Sequence, residues 1–213
     1  FGLFGHEANG IRFHHYWLKL KELGDTSKLE EYSLGVAMAQ ANKFTFPDER
    51  PRSPLSIFDW ALHFDASKFA QLMRDHALAH KVQHIDAKIE SIQINPDNGF
   101  IQSLLLDNQQ TLTADLFIDC TGFHGLLIKG ALNTGYEDWS QWLLCDRALA
   151  VQSELAGEPT ARTISKAHSA GWQWKIPLQH RQGNGHVYSS RFMDEGEAEA
   201  ILLQHIDGKV LHA

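Results

Sequence analysis

Two short stretches hold residue types whose spacing could do chemistry. Trp172-Gln173-Trp174-Lys175-Ile176-Pro177 sets two indoles one residue apart. On an extended strand, alternate side chains share a face, so the two rings would wall one surface. Large rigid rings shape a cavity at little conformational cost. They have no part in proton transfer, so such a pair is no candidate for an acid or base. The second stretch, Asp115-Leu116-Phe117-Ile118-Asp119-Cys120-Thr121-Gly122, is an apolar run ending in a Thr-Gly turn. In an open α/β sheet, ligands sit beyond the carboxyl ends of the strands. Glycine at that place lets backbone approach a bound group without a side-chain clash. Each stretch alone also fits a plain reading: two core tryptophans, or a strand and its turn.

Other candidates carry less. His76 and His80 are four residues apart on one helix face, a spacing that can hold a metal. No acidic or cysteine partner accompanies them, and packing or solvation explains them more simply. Cys120 has no adjacent base in the sequence, which argues against a nucleophile. Asp119 could orient a cofactor's surroundings or bond its own backbone. Glu195 to Glu199 reads as a solvated helix face. A Gly-x-Gly-x-x-Gly phosphate loop is absent. The nearest glycine cluster, Gly183-Asn184-Gly185, opens no helix and reads as a hairpin turn.

The elements that must position these residues follow from periodicity. Phe69, Leu72, Met73, His76, Ala77 and His80 repeat at helical spacing and predict a helix over 66–80, with Asp65 as its N-cap. Residues 30–42 and 195–205 also read as helices, and 125–132 as helical. Ile85, Ala87 and Ile89 alternate on one parity, whereas Ile92 and Ile94 take the other. That switch predicts a bulge near Glu90-Ser91. Pro96-Asp97-Asn98-Gly99 is a turn, 101–106 a return strand, and 111–113 a third short strand. Leu116-Phe117-Ile118 reads as a parallel strand buried on both faces. Strands are further expected at 148–154, 160–165, 172–178 and 186–190. Phe13 to Leu18 is an aromatic cluster expected to pack on a larger body, and 46–54 is a loop. The fold class is mixed α/β.

With 213 residues, the chain is one domain or part of a larger one. Its net charge of −7 gives no electrostatic support for a nucleic-acid partner. Cys120 and Cys145 are too few for a disulfide framework, which fits a reducing cytoplasm. Nothing approaches the roughly 18–20 apolar residues of a membrane span, and no signal peptide is evident. The chain begins at Phe1 and ends without a terminating pattern, so further residues are expected on both sides.

Taken in order, several blocks resemble the flavin-dependent tryptophan halogenases. They are His15-Tyr16-Trp17-Leu18, His63-Phe64-Asp65-Ala66, Ala114 to Gly122 with Gly125-Leu126-Leu127-Ile128, the Trp-x-Trp-x-Ile-Pro motif, and Gly183-Asn184-Gly185 with Val187-Tyr188-Ser189-Ser190. The resemblance implies part of a flavoprotein built on two dinucleotide-binding folds. Residues 1–62 would line a substrate cavity and 63–135 would belong to the FAD-binding domain. Residues 136–213 would form a mainly β substrate and tunnel region.

The resemblance also implies a reaction. Reduced FAD from a separate flavin reductase, oxygen and a halide ion give hypohalous acid. This travels through a tunnel to a small aromatic substrate such as tryptophan or an indole. Cofactor contacts would fall on Ala87 and Ile89, where the strand after the helix passes the adenine end, and on Cys120, Thr121 and Gly122. Substrate and tunnel contacts would fall on Phe4, Trp172, Trp174, Ile176 and Pro177. Gly2 stands where tryptophan-specific members carry histidine, which points to an indole or a larger phenol. The family's catalytic lysine and glutamate would lie outside these residues, and Lys175 is not that lysine. Family members are often dimers. A flavin monooxygenase and a non-catalytic flavin-binding remnant are the rival expectations.

Overall fold

The computed structural model of the chain describes residues 4–50 and 59–211; Gly2 and the second half of the 46–54 loop lie outside them. The chain divides into two compact units. One comprises Phe1–Ala66 with Leu143–Ala213, the other Ser67–Trp142.

The first unit is built on a five-stranded antiparallel sheet. Its strands are β4 (Arg147–Ser153), β5 (Ile164–His168), β6 (Gly171–Pro177), β7 (Gln182–Tyr188) and β8 (Val210–Leu211), in the order β5-β6-β7-β4-β8. Helix α4 (Glu195–Gln204) covers one face. Asp194 caps it: its carboxylate accepts from the Glu197 N–H at 2.8 Å, while the Glu197 carboxylate accepts from the Asp194 N–H at 3.4 Å. Two of its residues one turn apart, Ala198 and Leu202, are buried. Ala198 packs with Tyr188 and Met193, flanked by Leu149, Ala170 and Ile201.

Much of this core is polar. Gln173, Asn184, His186 and Ser153 are all buried. His186 Nδ1 donates to the Ala198 carbonyl at 3.0 Å, Gln173 Nε2 to the Leu202 carbonyl at 3.4 Å, and Asn184 Nδ2 to Ser153 Oγ at 3.0 Å. The seam leaves two buried atoms, His186 Nε2 and Ser189 Oγ, without a partner among the described residues.

The N-terminal part of this unit holds α1 (Phe13–Glu22) and α2 (Leu34–Gln40). The single helix expected over 30–42 is broken in two. A tight turn covers Leu29–Tyr32, and Ser33 then adopts extended backbone and caps α2 by accepting from the Val36 N–H. A serine that bonds its own backbone in this way starts a helix and does not continue one.

The second unit contains most of α3 (Ala66–Ala79) and a three-stranded antiparallel sheet of β1 (Ile89–Ile94), β2 (Ile101–Leu106) and β3 (Thr111–Leu112). The register of β1 on β2 shifts between Ile89 and Ser91, which is the bulge expected from the parity switch. A π-helical turn spans Leu126–Ala131.

Further sequence expectations fail here; the strand expected over 160–165 begins only at Ile164 and runs to His168. Leu116-Phe117-Ile118 forms no ladder, and Leu116 and Ile118 are 76% and 79% exposed. A strand buried on both faces needs a neighbour on each side, and no described segment supplies one. Residues 85–88 are unladdered as well, so the alternation that starts at Ile85 becomes a paired strand only from Ile89 onward. Gly183-Asn184-Gly185 is not a hairpin turn but the interior of β7. The turn lies earlier, closed by the Leu178 N–H on the Arg181 carbonyl at 2.8 Å. Among the described residues, no helix is long and apolar enough to cross a membrane.

Candidate functional site

The antiparallel register explains why glycine stands inside β7. Trp174 pairs with Gly185, and Gly185 with Ala150; Trp172 pairs with Val187, and Val187 with Ala148. Cross-strand partners share a face, so both tryptophans lie on the side of the sheet opposite α4. The Trp174 ring lies directly on Gly185. A Cβ added there would stand 1.9 Å from ring carbons Cζ2 and Cη2. The two indoles meet at 6.0 Å between centroids and are tilted by 52°. Their neighbours on this face include the small residues Gly183, Gly185, Ala148 and Ala150, alongside Val187 and Gln152.

Beside the Trp174 ring runs a cavity of about 330 Å³, reaching Ala150, Gln152, Gly183, Arg181 and Leu211. Trp172 is 41% exposed and Trp174 half-buried. Ile176, on the same face, is half-buried, and Pro177 is buried where β6 ends. The tryptophan pair is thus held together on one face of the sheet. Among Trp172, Trp174, Ile176 and their partners on β4 and β7 no side chain is an acid or base, and excluding or guiding small molecules is chemistry such a face can support.

Phe4 lines a cavity of about 410 Å³ together with Val36, Asp59, Arg162 and Thr163. Arg162 is oriented there by donating to the Ala39 carbonyl. Asp59, Arg162 and Thr163 also border a second cavity of about 510 Å³, which includes His63 and an edge-to-face cluster of Phe44, Phe46 and Trp60.

In the other unit, the Thr-Gly turn is organised by Asp119. Its carboxylate accepts from the Thr121 hydroxyl at 2.6 Å and N–H at 3.0 Å, and from the N–H groups of Leu127 and Ile128 at 2.8 and 3.1 Å. The Thr121 hydroxyl in turn accepts from the Leu126 N–H at 2.8 Å. These donors, the Thr121 hydroxyl first, hold the Asp119 carboxyl far below the usual carboxylate range. Of the two roles open to Asp119 in the sequence, the structure shows the backbone one.

Gly122 sits in the left-handed region at φ +65°, with open space where a Cβ would be. A rigid, glycine-ended turn with clear space before it fits the approach of a planar cofactor to backbone. Cys120 and Gly122 are exposed and Thr121 half-buried. Ala87 precedes the ladder and is half-buried, whereas Ile89 opens β1 opposite Leu106. Among the described residues, no group of His, Cys, Asp or Glu is placed to hold a metal.

The family model described as tryptophan halogenase matches residues 1–213. The chain belongs to the tryptophan halogenase family. BrvH, a flavin-dependent halogenase from Brevundimonas sp. BAL3, is 50% identical to this family member and superposes with a TM-score of 0.93, covering 100% of this chain and 44% of that one. Xcc4156, a flavin-dependent halogenase from Xanthomonas campestris, is 40% identical with a TM-score of 0.91, covering 100% and 42%. The tryptophan 7-halogenase RebH of Lentzea aerocolonigenes is 34% identical over 96% of this chain and 40% of its own length. The chain therefore spans about two fifths of the length of the relatives it matches.

Two features of the site escaped the sequence. Gly185 was legible only as a turn glycine, because its role depends on lying opposite Trp174. Asp65 and His63 reach the β6–β7 turn across more than a hundred residues. Their signal was the two-residue spacing, which puts both side chains on one side of an extended segment.

Proposed function

We propose that this protein is an FAD-dependent halogenase that installs chlorine or bromine on an electron-rich aromatic substrate such as tryptophan or an indole. Reduced flavin would come from a separate reductase. The observation that carries the reading is the tryptophan pair on one sheet face, with the Trp174 ring seated on Gly185 and Trp172 beside it opposite Val187, in a chain of this family. Bound FAD would supply the oxygen activation that turns halide into hypohalous acid.

The chain's own residues would do the rest. The turn Cys120-Thr121-Gly122, held rigid by Asp119, would offer backbone to the cofactor, with Ala87 and Ile89 serving its adenine end. Trp172 and Trp174, with Ile176 and Pro177 behind them, would keep organic molecules away and leave passage only for small species. Phe4 would present its ring to the aromatic substrate in the cavity it lines. Residues 1–62 would serve that cavity, 63–135 the flavin and 136–213 the passage.

The test is an assay of the full-length protein with a flavin reductase, NADH, oxygen and chloride or bromide over a panel of indoles and phenols. Halogenated product is expected. Hydroxylated product without halogen would replace this reading by a monooxygenase. Trp172→Ala and Trp174→Ala sharpen the choice, since a monooxygenase should keep its activity without the wall.

A further inference from the structure

One block of the sequence has no individual residue named in the proposed function: His63-Phe64-Asp65-Ala66. These residues lead into α3, and His63 and Asp65, two apart, both bond the strand end and turn that carry the tryptophan motif. A carbonyl can only accept, so His63 Nδ1 carries the hydrogen and donates to the Pro177 carbonyl at 3.0 Å. His63 Nε2 then accepts from the Thr163 hydroxyl at 3.0 Å, immediately before β5. One imidazole therefore ties the end of β6 to the start of β5.

Asp65 holds the same turn from its other side. Its Oδ2 accepts from Arg181 Nη2 at 3.0 Å and Nε at 3.3 Å, and from His180 Nε2 at 3.1 Å. The Asp65 and Arg181 side chains are only 12% and 18% exposed, so this pair is screened far less than a surface salt bridge.

The clamped turn lies between the two residues that must meet. Trp174 is three positions before Pro177, and Gly185 four after Arg181. The turn itself has no glycine to lock its shape and is closed by one backbone bond. We propose that His63 and Asp65 are positioning residues for the tryptophan wall: they fix the β6–β7 turn so that the Trp174 ring stays seated on Gly185. This rests on the halogenase reading only for its consequence in catalysis, not for the geometry.

The test uses full-length protein labelled with fluorotryptophan, with Trp172 and Trp174 assigned in fluorine NMR spectra from their Phe variants. His63→Asn keeps a donor where Nδ1 stands, whereas His63→Gln moves the donor to the Nε2 position and deprives Pro177 of it. His63→Gln should shift or broaden the Trp174 resonance and leave the tryptophans outside the sheet unchanged; His63→Asn should restore the wild-type line. Asp65→Asn should give an intermediate displacement.

Where the wild type halogenates, product formed per reduced flavin should fall about tenfold in His63→Gln, with KM for the aromatic substrate little changed, and recover in His63→Asn. The proposal is overturned if Trp174 stays in place in His63→Gln, or if Asn and Gln displace it equally. If the wild type does not halogenate at all, the functional reading fails while the resonance test still decides the clamp.

Discussion

The two segments that the sequence marked out are held by opposite means. The tryptophan wall depends on a five-stranded ladder, a helix on the far face and a turn clamped from residues 63 and 65. Several of those contacts, β4 on β7, β4 on β8 and the bonds from residues 63 and 65, join distant parts of the chain. The Thr-Gly turn depends on one carboxylate, Asp119, whose four hydrogen bonds all come from residues between 121 and 128. The wall is thus a product of packing and the turn a product of local hydrogen bonding. A substitution in the first should cost global stability. One in the second should spare stability and disturb only what the turn binds.

Gly185→Val tests the first half of that contrast most severely. The added carbons have no room beneath Trp174, so the ring must lift or the strands must part. We expect a loss of about 3 kcal/mol, read by urea denaturation, with a shift in tryptophan emission. His186→Ala should follow. It removes a wholly buried side chain and the bond that side chain donates to the Ala198 carbonyl, which should cost about 2 kcal/mol in the same measurement. Equal stability in both variants would mean that the sheet is held from elsewhere.

Asp119→Ala addresses the other region. FAD affinity of the full-length protein, followed by flavin fluorescence, should weaken by about tenfold, while the melting temperature changes little. A large fall in melting temperature with unchanged affinity would reverse the comparison. Asp194→Ala removes the cap of α4 and should cost about 1 kcal/mol, a modest loss confined to the packed unit.

The smallest effect should come from pH. Burial lowers the pKa of His168 below the usual imidazole value; its bond to Gln173 opposes this, and the neighbouring His205 and His186 add to the lowering. The folded protein therefore binds this proton less readily than the unfolded chain. Its contribution to stability is complete above about pH 6.5 and is lost as pH falls below it. His168→Gln should flatten the slope of melting temperature against pH between 7 and 5. An unchanged slope would show that another group sets it.

Where the sequence alone succeeded, the signal was short-range. Helical spacing located α3, parity located the bulge at Ile89–Ser91, and a Pro-Asp-Asn-Gly turn located the β1–β2 connection. These depend on the few residues on either side, and so does the Asp119 hub. The tryptophan spacing already implied one shared face, because side chains alternate along any strand.

Tertiary structure decided everything that required knowing what lies opposite. Gly183-Asn184-Gly185 carries turn chemistry in its composition, yet pairing with β4 on one side and β6 on the other makes it strand, with the Trp174 ring seated on Gly185. Leu116-Phe117-Ile118 has the apolarity of a buried strand, yet ladder pairing needs partners that no local pattern supplies. His63 and Asp65 read as a lead-in to a helix until the fold brings Pro177 and Arg181 to them. The physical reason is the same in each case. Backbone preference and periodicity act over a few residues, whereas a contact between distant segments exists only once the chain has closed the loop between them.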